Sequence, residues 1–208
     1  MQDEKPCIYI VEDDEAVRDS LALMLESVGH NVKAFATADA FLSAYSPQMS
    51  GCIVLDIRMP GMDGMELQSR LNAMNSILPI IFVTGHGDIP MAVEAMQRGA
   101  MDFVQKPYRE QELLSKISSA LKLDEENRQS LQEKQTIIEQ LASLTPREHE
   151  VMEGMVAGKA NKVIAYDLDI SQRTVEIHRA RVMEKLNAKS LAHLVRMVMT
   201  VGADASEN

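Results

Sequence analysis

Residues 51–64 read GCIVLDIRMPGMDG. Four side chains suited to a buried strand, Cys52, Ile53, Val54 and Leu55, run directly into an aspartate, and Pro60, Gly61 and Gly64 follow. A strand buried on both faces reads as a continuous aliphatic run, and such strands belong to parallel sheets covered by helices. In an open sheet of that kind the ligand crevice lies outside the carboxyl ends of the strands. Asp56 is therefore expected at the lip of a crevice.

Outward from this stretch, hydrophobic period and turn signals predict strands near 7–12 (CIYIVE), 31–35, 52–56, 79–84 (PIIFVT) and 102–105 (DFVQ). Helices are predicted between them near 15–28, with Asp14 as cap, and near 38–45, 64–74 and 89–98, then from about 109 onward. Five strands alternating with five helices predict an α/β fold, a doubly wound five-stranded parallel sheet. From 124 to 143 there is no Pro or Gly, charge is dense, and Leu131, Ile138 and Leu141 recur near heptad spacing. That segment reads as a helical linker, either a solvated charged helix or a short dimer coiled coil.

LTPREHE then opens a new unit, with Thr145 as N-cap, Pro146 at the first helical position and Glu148 three residues past the cap. Everything beyond it is helical. A helix to about Val156 precedes one at Asn161 to about Leu168, with Val163, Ile164 and Leu168 toward a core. A third, capped by Ser171, runs to about Leu186 and buries Val175, Val182, Met183 and Leu186. The last, 190–201, carries a Leu191, Leu194, Val195, Val198 stripe whose excess over core packing suits a dimer contact. The expected division is 1–123, a linker at 124–143, and an all-α domain at 144–208.

No apolar run in the 208 residues approaches the roughly 18 needed to span a membrane, and MQDEKPCIYI lacks a signal-peptide core. A cytoplasmic protein is expected. Cys7 and Cys52 each open an apolar strand and read as buried thiols. The net charge of −10 would argue against nucleic acid if it were uniform. It is not: residues 1–143 hold 12 Lys+Arg against 22 Asp+Glu, while 159–196 hold 8 basic and 4 acidic residues. The tail has a basic centre.

Polar groups cluster at the strand ends. Glu12 and Asp13 follow the first strand, Asp56 ends the third, Thr84 ends the fourth, and Lys106, before Pro107, follows the fifth. Three adjacent carboxylates repel unless a cation joins them, and oxygen ligands with open positions suit Mg²⁺. A lysine and a hydroxyl complete a set that can spread the charge of a phosphoryl group in transfer. Asp56 is then the nucleophile.

With this ordered set, residues 5–123 resemble the receiver domain of two-component response regulators, through VEDDEAVRDSL, VLDIRMPGMDGMEL and IIFVTGHGDIPMAVEAMQRGAMDFVQKPY. The resemblance implies that Asp56 is the phosphoacceptor. It implies that Mg²⁺ is bound by Glu12, Asp13, Asp56 and the backbone carbonyl of Arg58, that Lys106 contacts the phosphoryl oxygens, and that Thr84 and Phe103 form the switch. Glu12 stands where an aspartate is commoner, and its longer arm leaves direct or water-mediated ligation open.

Residues 144–198 resemble the LuxR/FixJ-type helix-turn-helix domain through LTPRE, NKVIA, ISQRTVEIHR and KSLAHLVR. Together the halves resemble a response regulator of the NarL/FixJ subfamily, on the FixJ branch. The resemblance implies that Glu176, Ile177 and Ala180 face base edges. Lys162, Arg173, Thr174, His178, Arg179, Arg181 and Lys185 are the candidates for phosphate or base-adjacent contacts, since phosphates position and bases specify. Glu176 has two open roles, accepting from a cytosine amino group or pairing with a neighbouring arginine. The partners implied are a sensor histidine kinase, double-stranded promoter DNA, a second copy when phosphorylated, and RNA polymerase. A phosphatase of the haloacid-dehalogenase type also uses an Asp nucleophile and Mg²⁺, but it wants a second Asp two positions on, where Arg58 stands.

Overall fold

The structure, a computed structural model, describes residues 5–85 and 89–202, without the side chain of Ile89. Outside the described residues fall the first four of MQDEKPCIYI, the HGD of TGHGDIP and the last six positions of the all-α domain. The chain divides into two compact units, Met1–Arg128 and Gln129–Asn208.

In the first unit β1 (Cys7–Val11), α1 (Glu15–Ser27), β2 (Asn31–Phe35), α2 (Ala38–Ala44), β3 (Gly51–Asp56), α3 (Gly64–Ala73), β4 (Ile80–Thr84), α4 (Ile89–Gln97) and β5 (Asp102–Gln105) alternate as expected. The sheet is parallel throughout, in the order β2-β1-β3-β4-β5. Alternate side chains of the buried strands enter two cores. Tyr9, Val11, Ile53, Leu55 and Phe82 pack with α2, α3 and α4, while Ile8, Ile10, Val54, Ile81 and Val83 pack with α1 and with Leu113 and Ile117 of the helix that follows β5. Cys7 and Cys52 are buried without a disulfide between them, and burial pushes the Cys52 thiol up to about 12.

Helix α5 (Glu110–Ala142) runs unbroken through the linker segment. Its Asp124 is buried and accepts from the backbone N–H of Gly51 at 2.8 Å and from Arg128 at 2.9 Å, and Arg128 also donates to the carbonyl of Met49. Those bonds keep residues as far as 128 in the first unit. Of the heptad-spaced residues, Leu141 packs onto the core of the second unit together with Ile137, whereas Leu131 and Ile138 are exposed.

The second unit holds α6 (Pro146–Val156), α7 (Asn161–Asp167), α8 (Gln172–Lys185) and α9 (Leu191–Gly202). Thr145 and Glu148 form the expected capping box. The core gathers Val151, Met155, Ile164, Val175, Val182, Leu186 and Leu194, with Met183 and Leu168 half-buried at its edge. Val163 departs from expectation: it is exposed, because α7 turns Ile164 inward instead. Ile164 fits against Gly154, where any Cβ would lie 2.8 Å from it.

Candidate functional site

The strand order changes direction between β1 and its neighbours β2 and β3, and a crevice opens at such a switch point beyond the strands' carboxyl ends. Val11 pairs with Leu55, so the residues that follow, Glu12 and Asp13 on one strand and Asp56 on the other, leave the sheet side by side. Glu12 and Asp56 are buried and Asp13 is exposed. One oxygen of each lies within 4.8 Å of the others. Lys106 closes the group from the end of β5, its Nζ 2.8 Å from Oε2 of Glu12 and 2.9 Å from Oδ2 of Asp56.

The loop after β3 folds tightly against the backbone of Asp56. After β3 the chain turns back, and the Gly64 N–H donates to the carbonyl of Ile57 at 2.9 Å. A Cβ on Gly64 would stand 2.3 Å from the carbonyl oxygen of Asp56, so only glycine permits that approach. Within the turn the Arg58 N–H donates to Oδ1 of Asp56 at 3.2 Å, which brings the Arg58 backbone against the carboxylate. Sequence reasoning missed Arg18. Its guanidinium donates to the carbonyls of Glu12 at 2.9 Å and Asp13 at 3.2 Å and so fixes the acidic loop from the first turns of α1. The available signal was its place four residues after the capping Asp14.

Burial lifts the Glu12 carboxyl to about 7; the Lys106 hydrogen bond works against that rise and the charge of Asp56 adds to it. For Lys106 burial disfavours the ammonium, but hydrogen bonds to Glu12 and Asp56 outweigh it and the group is held above its ordinary value. Three carboxyl groups thus face one ammonium. Hard oxygen donors at this spacing, partly open to solvent, fit a divalent cation such as Mg²⁺.

Thr84 is fully buried at the end of β4, and its hydroxyl donates to the Gly85 carbonyl at 3.0 Å rather than to Asp56. The backbone of Lys106 is bonded to the carbonyl of Thr84 at 2.7 Å, and the Lys106–Pro107 peptide is cis. Phe103 pairs with Phe82 across the strands and is half-buried.

In the second unit α7 and α8 form a helix-turn-helix, with Asp169 at positive φ in the turn and Ser171 accepting from the Thr174 N–H. Arg173, Glu176, Ile177, Ala180 and Arg181 are exposed along α8, spaced three and four apart as one helix face requires. Lys162 is exposed on α7, while Thr174, His178 and Arg179 are half-buried. Nδ1 of His178 is buried without a hydrogen-bond partner. Lys185 is engaged within the domain: its Nζ donates to Oε2 of Glu148 at 2.7 Å and to the Ser143 carbonyl at 3.0 Å. No helix among the described residues is long and apolar enough to cross a membrane.

Comparison with known proteins agrees with both halves. Residues 8–118 match the response regulator receiver domain, and residues 142–198 match the bacterial regulatory proteins of the luxR family. The chain is 49% identical over 195 residues to the transcriptional regulatory protein FixJ of Bradyrhizobium diazoefficiens, covering 94% of this chain and 95% of that one. It is 47% identical to FixJ of Rhizobium meliloti over 196 residues, 94% of this chain and 96% of the relative. Among solved structures it is similar to the response regulator StyR, with 45% identity, a TM-score of 0.84, and 93% and 98% of the two chains covered. Full-length FixJ from B. japonicum is 49% identical with a TM-score of 0.59 over 96% and 98% of the two chains.

Proposed function

The chain belongs to the NarL/FixJ subfamily of two-component response regulators, phosphorylation-dependent transcriptional regulators rather than enzymes, and from that premise we propose how its residues divide the work. The functional segments are a receiver at 1–123, a linker at 124–143 and a DNA-binding domain at 144–208, all in a cytoplasmic protein.

Asp56 is the phosphoacceptor. A carboxylate oxygen of Asp56 attacks the phosphorus of a kinase phosphohistidine; the new O–P bond forms as the P–N bond breaks and the histidine leaves. Glu12, Asp13, Asp56 and the Arg58 carbonyl would hold Mg²⁺, which would supply charge neutralisation to the transferring oxygens. Lys106, already against Asp56, keeps its ammonium on the phosphoryl group. Thr84 turns its hydroxyl from Gly85 toward that group, and Phe103 follows into the space it vacates. The observation that carries this reading is the convergence of Glu12, Asp13, Asp56 and Lys106 from three strand ends.

The moved surface is the face of α4, β5 and α5. Val93 and Met96 lie exposed on α4, which supports pairing of two phosphorylated copies there. A two-fold dimer then reads half-sites spaced by about 10 base pairs. On the DNA, Glu176, Ile177 and Ala180 meet base edges, and Lys162, Arg173, Thr174, His178, Arg179 and Arg181 serve phosphates or adjacent positions. Lys185 would have to give up Glu148 to join them. RNA polymerase at the promoter is the further partner.

The test compares DNA affinity of wild type and Asp56→Asn with and without a small-molecule phosphoryl donor. Enhancement in the wild type alone is expected, and equal enhancement in both would overturn the mechanism.

A further inference from the structure

Glu12 offers its carboxylate to two different cations. We infer that Glu12, beyond any part in holding a divalent ion, is a positioning residue for Lys106 that shares the ammonium with Asp56 and thereby lowers the receiver's affinity for Mg²⁺. The inference rests on the metal site of the proposed function and deepens it.

Three observations carry it. Lys106 Nζ sits 2.8 Å from Oε2 of Glu12 and 2.9 Å from Oδ2 of Asp56, so one ammonium occupies an oxygen of two of the three prospective ligands. Glu12 is almost fully buried, so its oxygens have little water to turn to. Both backbones are pinned. The Glu12 N–H donates to the Phe35 carbonyl and the Glu12 carbonyl accepts from Arg18, while Lys106 N–H donates to Thr84. The length of the side chain at position 12 therefore decides whether it reaches Lys106. An aspartate there would withdraw the carboxylate by about 1.5 Å, one C–C bond, and the hydrogen bond would not survive.

An ammonium seated on Glu12 and Asp56 opposes an incoming dication in two ways. It holds lone pairs on two carboxylates that would otherwise be open to the metal, and it places a like charge beside the acidic cluster. Releasing position 12 from Lys106 removes the first obstacle and lets the ammonium swing toward solvent, which reduces the second.

The test is a double-mutant cycle on the full chain, with Mg²⁺ as the only ligand and isothermal titration as the readout, at one pH and ionic strength. Neither a phosphoryl donor nor DNA is present. Glu12→Asp is expected to bind Mg²⁺ about three- to tenfold more tightly than wild type, a gain within the usual coupling of contacting residues. In a Lys106→Met background the same substitution is expected to give no gain, since there is no ammonium to release. Should Lys106→Met fail to fold, as judged by circular dichroism, Lys106→Gln removes the same charge. Equal or weaker binding by Glu12→Asp overturns the inference, as does an equal gain with and without Lys106. A wild type that binds no Mg²⁺ overturns the metal reading itself.

Discussion

The Lys106 ammonium lies 2.9 Å from Oδ2 of Asp56, at the rim where three strands end. Since the same ammonium meets Glu12, it is the internal counter-ion of an acidic cluster. Replacing it with a methionine leaves two buried carboxylates facing each other. Lys106→Met is expected to lower stability by about 1–3 kcal/mol, less than a fully buried broken pair because Lys106 is partly exposed. Added Mg²⁺ should recover stability, by about 2.7 kcal/mol at a hundred times its dissociation constant. Urea unfolding with and without the ion reads both effects, and an unchanged midpoint would mean that the ion pair carries no weight.

Two glycines, Gly61 in the loop after β3 and Gly64 at the start of α3, separate steric from conformational cost. At Gly64 an added Cβ meets the Asp56 carbonyl oxygen at 2.3 Å and the Phe82 ring at 3.0 Å, neither of which can yield without moving the sheet. Gly64→Ala is expected to cost about 2–4 kcal/mol and to misplace Asp56, slowing its phosphorylation. At Gly61 φ is +77° but nothing lies within 4 Å, so Gly61→Ala should cost only about 1 kcal/mol. Thermal unfolding of the two variants ranks them, and a larger loss at Gly61 would refute the steric account.

What could be read without coordinates follows the range of the interaction. The strand-end set of Glu12, Asp13, Asp56, Thr84 and Lys106 was legible because a parallel sheet converts order along the chain into adjacency at one edge. The capping box at Thr145 and Glu148 was legible because it spans three residues. Arg18 was harder to read, since it serves backbone carbonyls and only its place four residues after the capping Asp14 marks it. The Asp124 and Arg128 bonds to Gly51 and Met49 join positions more than 70 residues apart, and nothing local distinguishes those charges from the solvated ones around them. Val163 and Ile164, like Ile137 and Ile138, are apolar neighbours about 100° apart on a helix. Which of each pair turns inward is set by the surface it meets, here Gly154 for Ile164.

Acid should reach the second unit through Glu148. The Lys185 hydrogen bond, with the Thr145 backbone, holds this carboxyl down at about 2 against an ordinary 4.5. A group whose folded pKa is depressed adds stability that is present above the unfolded value and lost as pH falls toward the folded one. The C-terminal domain is therefore expected to lose stability between about pH 4.5 and 2, and Glu148→Gln should flatten that part of the profile. Lys185→Met should shrink it. Far-ultraviolet circular dichroism during acid titration measures the slope, and an unaltered slope in Glu148→Gln would exclude this pair as its source.

Under the proposed function the α8 face separates positioning from reading. Arg181 is exposed and long enough to reach a phosphate, where its charge displaces a counter-ion whatever the sequence. Arg181→Ala should weaken binding to cognate and unrelated DNA alike and reduce the salt slope by about 1. Ile177 is 47% exposed in the middle of this polar face, a position that costs solvation unless an apolar partner such as a thymine methyl covers it. Ile177→Ala should leave the salt slope unchanged and bring cognate affinity closer to that for unrelated sequences, by about 1 kcal/mol or more. Fluorescence anisotropy on both DNAs across a salt series distinguishes the two residues. If Ile177→Ala changed the slope while Arg181→Ala changed only the preference for cognate DNA, the roles given to this face would have to be exchanged.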